Sequence, residues 1–291
     1  MPADLRLLAL DGGGVRSQEM LQLMRLGVVP FGTAILTVVA GDEPELNAID
    51  LPLLSPNFPT LRHTIDALRQ RLADVLRERY DIELLGIYMY PAQVLFCKQA
   101  FAGLNDIAGR KVRTSSVGQS ELISALGGVP VRVPFAEIVP AMRDGVADCA
   151  VTGTLSGYEI GLPAVTTHAH AVAISWGISI FAANLPAWNG LPADVRAAIR
   201  SGVADLEHRI WQQAEADTAR GLACNAGTLA CSGSPSRHMT VVPSTAQDEE
   251  LRRRLLVEVV LPRWIARCGS SCARTWNAYL APVHAIKVPA E

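Results

Sequence analysis

The fold is decided by residues 109–153, GRKVRTSSVGQSELISALGGVPVRVPFAEIVPAMRDGVADCAVTG, in which short apolar runs alternate with stretches of helical pattern. The pattern predicts strands at 111–114, 129–133 and 147–152, and helices at 119–126 and 135–143. Strands joined by helices in this way lie parallel in one sheet, and such a sheet binds ligands at the carboxyl ends of its strands. The residues that end or follow the strands are therefore the candidates for a binding site: Arg113 with 114–116, Phe135, and Thr152 with Gly153.

The composition is that of an ordinary globular protein. The chain has 291 residues, of which 49% are hydrophobic and 19% charged, and its formal net charge is -2. A chain of this length commonly divides into two lobes, and two lobes can enclose a cleft. It has no run of basic residues and no basic stretch interleaved with aromatics, so nucleic acid is not expected as a partner.

Helical patterns flank the central segment on both sides. Apolar residues recur on one face of an amphipathic helix at 61–80. Leu191 and Pro192 open a second helix that continues to about Leu222, because proline suits the first turn of a helix. A helix of that length can contact both lobes.

No stretch has the pattern of a membrane span or an export signal. The uncharged segment 26–41 is short and contains Pro30, and the segment 171–192 contains Asn184 and Pro186, so both favour buried strands and turns. Residues 1–12 lack a basic start and a long apolar core, and we expect no signal peptide in the sequence as given.

The cysteines separate into an early and a late group. Four of the six lie in two close pairs: Cys224 with Cys231, and Cys268 with Cys272. Spacings of seven and four residues are not those of a zinc ribbon, and disulfides are favoured, with free or buried thiols as the alternative. Cys97 and Cys149 lie in apolar contexts and are interpreted as buried packing residues. His168 and His170 lack a carboxylate or cysteine nearby, so no metal or cofactor is expected.

A glycine-rich segment near the start resembles an enzyme motif. Residues 10–16, LDGGGVR, resemble the oxyanion-hole turn of patatin-like phospholipases. That chemistry also requires a serine in a G-x-S-x-G elbow, which the chain lacks. The nearest approaches place Ser156 one position late and Ser271 before a mismatched final residue. A serine acyl hydrolase is therefore the alternative function, and a plain glycine turn is the simpler interpretation.

Several ordered motifs resemble the solute-binding proteins of TRAP transporters, the tripartite ATP-independent periplasmic systems, of the DctP type. The motifs are GRKVR at 109–113, the run GGVPV, VPFAEI and MRDGVAD within 127–148, LPADVR at 191–196, and EML with GV within 19–28. The resemblance covers essentially the whole chain. It implies an α/β fold of the two-lobe, type II-like periplasmic binding protein, with parallel-rich sheets, a hinge and a long helix that spans both lobes.

The resemblance also implies ligand-binding residues. Arg113 corresponds to the arginine that binds a carboxylate, a role that suits a planar guanidinium with paired donors; the alternative is a structural ion pair. The other implied contacts are Phe135, Thr152, Gln93, Ser116 and Trp176. Each has a plainer interpretation: core packing for Phe135 and Trp176, loop residues for Thr152 and Gln93, and a helix cap for Ser116.

The lobes, ligand and partners follow from the same resemblance. We expect lobe one at 1–112 plus 176–214 and lobe two at 113–175 plus 215–291, closing on a ligand held by Arg113 and by Gln93 of lobe one. The ligand is expected to be a small organic acid, a monocarboxylate rather than a dianion, delivered in the periplasm to the permease subunits of a TRAP transporter. Family members carry a leader, a strand and a helix before the glycine turn, so roughly forty residues are expected to be absent here. A sensory ligand-binding domain is a further alternative.

Overall fold

A computed structural model describes residues 17–39, 41, 43–229, 231 and 238–289 of the protein. The glycine-rich segment 10–16 and the N-terminal segment 1–12 lie outside the described residues. Within the described residues, nine strands form two sheets. The strands are β1 Phe31–Ile35, β2 Ile82–Tyr88, β3 Gln93–Cys97, β4 Lys111–Thr114, β5 Val129–Arg132, β6 Cys149–Gly153, β7 His168–His170, β8 Ser179–Asn184 and β9 Thr240–Val242.

The smaller sheet has the strand order β1-β8-β2, and both of its pairings are antiparallel. A register shift between Leu84 and Gly86 bends β2 where it meets a long helix. A Cβ at Gly86 would lie 2.7 Å from Cγ1 of Val203 on that helix. Glycine at this position therefore allows the helix to pack directly on the strand.

The larger sheet contains the segment that decides the fold. Its order is β5-β4-β6-β3-β7-β9. β4 pairs in parallel with both β5 and β6, and β7 pairs in parallel with β9, whereas β3 runs antiparallel to β6 and β7. The predicted parallel β-α-β-α-β unit is confirmed. Among the described strands, parallel pairing occurs only in this sheet.

Helices cover the two sheets and connect them. They are α1 Met20–Arg25, α2 Leu36–Val39, α3 Phe58–Tyr80, α4 Val117–Ala125, α5 Ile138–Arg143, α6 Thr154–Glu159, α7 Leu185–Asn189, α8 Ala193–Ala226, α9 Ala246–Leu255, α10 Leu261–Cys268, α11 Ser270–Thr275 and α12 Ala281–His284. α8 has 34 residues and contacts β2 of the smaller sheet as well as α6 and β9 beside the larger one. The predicted long helix does span both halves. Among the described helices, none is long and apolar enough to cross a membrane.

The two sheets divide the chain differently from the expected lobe boundaries. Residues 93–112 were expected in lobe one, but β3 and β4 both lie in the larger sheet with Arg113. The expected boundary after residue 112 also cuts β4 in two. The sequence pattern showed where these strands lie but not which sheet they join, because pairing with distant strands decides that.

The C-terminal helices contact both halves of the described structure. They were expected in lobe two, but they pack against α3 and the 3-10 helix Pro44–Asp50. Trp264 Nε1 donates to the carbonyl of Pro44 at 2.7 Å, and Thr275 Oγ1 donates to Glu45 at 2.8 Å. Trp264 and Thr275 thus join these helices to the smaller-sheet side, whereas residues 256–260 pack against α4 and Arg267 pairs with Glu121 of α4 beside the larger sheet.

All six cysteines form disulfides. The structure joins the two late pairs suggested by the sequence, Cys224 to Cys231 and Cys268 to Cys272. Cys97 and Cys149, expected as unbonded packing residues, are fully buried but bonded to each other. They face one another in the register of β3 and β6, which their separation of 52 residues concealed in the sequence.

Candidate functional site

One edge of the larger sheet gathers several of the predicted site residues. β4, β5 and β6 run parallel, so their carboxyl ends, at Thr114, Arg132 and Gly153, share this edge. β3 runs the other way and begins at Gln93, which lies opposite Gly153. Gln93 therefore joins the site from the same sheet as Arg113, whereas the sequence placed it in the opposite lobe.

Arg113 is a buried cation at this edge. Its side chain donates from Nε to the carbonyl of Val133 at 2.9 Å and from Nη1 to the carbonyl of Val151 at 2.8 Å, and the residue is only 5% exposed. No carboxylate among the described residues pairs with it. Burial lowers the pKa of Arg113 to about 10, so the guanidinium remains charged at neutral pH.

The two carbonyls fix the direction in which Arg113 can bind a ligand. Because Nε and one hydrogen of Nη1 are used, Nη2 is the nitrogen that has no hydrogen-bond partner among the described residues. A buried charge normally has a partner of opposite charge. Within the described part of the chain, Arg113 therefore has the features of an anion site rather than of the structural ion pair.

Phe135 and Thr152 lie at the same edge. Phe135 follows β5 in a short 3-10 helix and is 49% exposed, so it is not a core residue. Thr152 is buried, and its hydroxyl makes no hydrogen bond to another described residue. An exposed aromatic ring and an uncommitted hydroxyl can both contact a small ligand.

Ser116 and Trp176 have contacts that serve the fold. The Ser116 hydroxyl caps α4 by accepting the backbone N–H of Gln119 at 3.2 Å. The Trp176 indole is buried, donates to the carbonyl of Ser55 at 2.7 Å and packs edge-on against Phe58. The structure thus places Ser116 at a helix cap and Trp176 in the core, the plainer interpretation of each.

Gln119 is a site residue that the sequence analysis missed. Its Oε1 accepts the backbone N–H of Ser115 at 2.9 Å, and its Nε2 donates to Gln93 Oε1 and Ser175 Oγ, both at 2.9 Å. The signal was present as the S-x-x-Q pattern of 116–119, typical of the start of a helix. That pattern does not show that the glutamine reaches across to β3.

Two segments that connect the sheets lie side by side next to Gln93. They are the links from β2 to β3 and from β7 to β8. Gln93 N donates to Ser175 O at 2.8 Å, and Tyr90 N donates to Trp176 O at 3.2 Å. We refer to these paired segments, 90–93 and 174–178, as the hinge because they connect the two sheets.

A buried carboxylate braces this hinge. Asp50 accepts backbone N–H groups from Trp176 at 2.8 Å, Gly177 at 2.8 Å and Ile178 at 3.2 Å. Burial raises the pKa of Asp50 to about 7, although the three N–H donors act in the opposite direction. The sequence signal for this contact is an acidic residue within the apolar run 48–53. Such a carboxylate is expected to be buried and therefore to need hydrogen-bond partners.

Comparison with known proteins identifies the family of this chain. Residues 12–223 match the model of the family described as bacterial extracellular solute-binding protein, family 7, DctP. The chain belongs to this family. The family is described as solute-binding, which supports the receptor interpretation and not the acyl-hydrolase alternative. In the structure, Ser156 lies within α6, three residues beyond β6, and not at a strand-to-helix elbow.

Two relatives within family 7 show the extent of the match. The chain is 23% identical over 193 residues to the C4-dicarboxylate-binding periplasmic protein DctP of Rhodobacter capsulatus, covering 65% of this chain and 58% of that protein. It is 26% identical over 197 residues to the solute-binding protein NAS141_03721 of a Sulfitobacter species, covering 64% of this chain and 57% of that protein. The chain thus spans less than three fifths of these relatives.

A solved structure has the same fold. The structure is DctP7 of Bordetella pertussis, an extracytoplasmic solute receptor binding pyroglutamic acid, which superposes with a TM-score of 0.80 at 24% identity. The match covers 91% of this chain and 84% of that one. This likeness confirms the two-lobe α/β architecture of the family.

Proposed function

We propose that this protein is the periplasmic solute receptor of a TRAP-type transporter and that it binds a small organic acid through Arg113. The observation that supports this most is a buried guanidinium with no carboxylate partner among the described residues and with Nη2 uncommitted. A ligand carboxylate supplies the missing charge. Charge-assisted hydrogen bonds of this type contribute roughly 1.5 to 3 kcal/mol each.

The remaining polar groups at the edge favour a ligand with one carboxylate. Gln93, Thr152 and Gln119 are uncharged, and Arg113 is the buried cation that the described part of this edge supplies. Related structures bind pyroglutamic acid, orotic acid and malonate. The neutral donors and acceptors beside Arg113 suit the first two, which have one carboxylate and amide-like groups, better than the dianion.

The hinge supports closure around the ligand. We assign lobe one to the smaller sheet with α3 and the C-terminal helices, and lobe two to the larger sheet. Gln93 and Arg113 both lie on lobe two, so lobe-one contacts must come from other residues, and Tyr88, at the end of β2, is a candidate. Its ring stacks on Phe181 of β8 beside the hinge. A ligand that contacts both lobes favours the closed state. The closed receptor would then deliver the ligand to the membrane permease.

Calorimetry with a panel of carboxylates tests this proposal. The panel contains pyroglutamate, orotate, malonate and acetate, and the proteins are the parent, Arg113→Ala and Arg143→Ala. Arg143 is an exposed arginine at the end of α5 and provides the matched control. Loss of two charge-assisted bonds should weaken binding by about two orders of magnitude or more in Arg113→Ala, and Arg143→Ala should bind as the parent does. Equal affinity in Arg113→Ala and the parent would exclude the role of Arg113, and no binding of any acid by the parent would exclude the function.

A further inference from the structure

We propose that Gln119 fixes the orientation of the Gln93 carboxamide, so that the cleft presents an N–H donor and selects acids with a second hydrogen-bond acceptor. The inference rests on the proposed function and makes its ligand class more specific. Gln119 is a positioning residue in this scheme, because it acts on the ligand through Gln93. Two successive hydrogen bonds, from Ser115 to Gln119 and from Gln119 to Gln93, set this orientation.

The first bond has an unambiguous direction. A backbone N–H can only donate, and the N–H of Ser115 lies 2.9 Å from one side-chain atom of Gln119. That atom must therefore be the carbonyl oxygen Oε1. Ser115 directly follows β4, so the strand that carries Arg113 also fixes which way Gln119 faces.

The second bond transmits this direction to Gln93. With Oε1 of Gln119 on Ser115, its other atom is Nε2, which has no acceptor capacity. Nε2 lies 2.9 Å from Gln93, and the atom that receives it must be Gln93 Oε1. Ser175 agrees with this assignment, because its hydroxyl accepts from Gln119 Nε2 at 2.9 Å and donates to Gln93 Oε1 at 3.2 Å.

The consequence is that Gln93 can offer only N–H donors to a ligand. Both bonds from Gln119 and Ser175 are made to Oε1, and Nε2 has no acceptor among the described residues. A Cβ at Gly177 would lie 2.7 Å from this Nε2. Glycine at 177, which also has a φ of +63°, therefore leaves the space that the amide occupies.

The donor lies at a useful distance from Arg113. Nη1 of Arg113 is bonded to the carbonyl of Val151, and Gln93 lies opposite Gly153, two residues further along the same strand. Two residues of strand correspond to about 7 Å. A small acid with a carbonyl oxygen a few bonds from its carboxylate can therefore contact both groups.

Two pairs of acids test the proposal, because the members of each pair differ chiefly in one carbonyl group. The pairs are 3-oxocyclopentanecarboxylate with cyclopentanecarboxylate, and 4-oxopentanoate with pentanoate. We expect the parent to prefer the carbonyl acid of at least one pair by about tenfold, the usual effect of one well-placed hydrogen bond. In Gln119→Met, which keeps the length of the side chain but cannot orient Gln93, that preference should fall to about twofold. The affinity for the matched acid without the carbonyl should stay within about twofold, which loss of structure would not allow.

Gln93→Met is the second variant, since it removes the donor itself and keeps Ser175 as a partner of Gln119. It should lose the same preference, and it decides the question if Gln119→Met fails to fold. An unchanged preference in either folded variant, or no preference in the parent, overturns the inference while acid binding still supports the receptor. Binding of other carboxylates but of neither carbonyl acid also overturns it. If the parent binds no carboxylate at all, the proposed function fails as well.

Discussion

The carboxylate of Asp50 accepts the backbone N–H of Gly177 at 2.8 Å, deep in the hinge between the two sheets. The same carboxylate binds the N–H groups of Trp176 and Ile178. One buried side chain on the lobe-one side thus fixes three consecutive residues of the connection that leads to β8. The backbone N–H groups of residues 176–178 therefore already have a hydrogen-bond acceptor in this connection.

Asp50 should make the stability of the protein depend on pH. Its pKa is raised by burial from 3.8 to about 7, so the folded form retains a proton that the unfolded form has lost between these values. The free energy of unfolding should therefore fall as the pH rises from about 4 to 7, by a few kcal/mol at about 1.4 kcal/mol per pKa unit. Urea unfolding of the parent and Asp50→Asn at several pH values measures this contribution. A difference between the two proteins that does not change with pH would contradict it.

His284 should act in the opposite direction over an overlapping range. Burial and the charge of Arg252 lower its pKa from 6.5 to about 4, and its Nε2 lies 3.0 Å from Thr64 Oγ1. The unfolded form binds a proton first, so the free energy of unfolding should fall as the pH drops from about 6.5 to 4. The parent should lose stability relative to His284→Gln across that range. His63, an exposed histidine of α3, provides the control, and an equal change in His63→Gln would contradict the prediction.

The core of the candidate site could be predicted from the sequence because it lies within one local unit. Arg113, Phe135 and Thr152 end or follow strands of a single β-α-β-α-β run, and local patterns decide such a run. The hydrogen-bond partners of Gln119 could not be predicted in this way. Its contacts with Gln93 and Ser175 cross 26 and 56 residues of chain, and no periodic pattern encodes a contact at that separation.

The division into lobes could not be predicted for the same physical reason. An apolar strand pattern shows that β3 is buried but not that it pairs with β6, 52 residues later at Cys97 and Cys149. Amphipathic helices likewise require an apolar partner without specifying which one. Trp264 and Trp276 of the C-terminal helices are buried, and Trp264 donates to Pro44, a contact that their position in the sequence does not indicate.

The disulfide between Cys97 and Cys149 should contribute more to stability than the one between Cys268 and Cys272. The first closes a separation of 52 residues and the second a separation of four. Restriction of the unfolded chain predicts about 4 kcal/mol for the first and about 2 kcal/mol for the second. Urea unfolding of the two double Cys→Ala variants compares them, and an equal loss would show that loop closure is not the cause. Because the first disulfide joins β3 to β6, its removal should also weaken ligand binding.

Two glycines in α8 should respond to the same substitution with opposite signs. A Cβ at Gly202 would have no atom within 4 Å, so Gly202→Ala should increase the free energy of unfolding by about 0.5 to 1 kcal/mol through helix propensity. A Cβ at Gly221 would lie 2.5 Å from the carbonyl carbon of Thr154 and even closer to the backbone nitrogen of Leu155. Backbone cannot rotate away, so Gly221→Ala should destabilise the protein by about 1 to 3 kcal/mol.

The Gly221 substitution should also reach the binding site. Thr154 begins α6 immediately after Gly153, so displacement of α6 moves the end of β6 and with it Thr152. Calorimetry should therefore show weaker acid binding in Gly221→Ala and parent-like binding in Gly202→Ala. Stability changes of the same sign in the two variants would mean that α6 does not pack on α8 as closely as described. Unchanged affinity in Gly221→Ala would mean that the end of β6 does not contact the ligand.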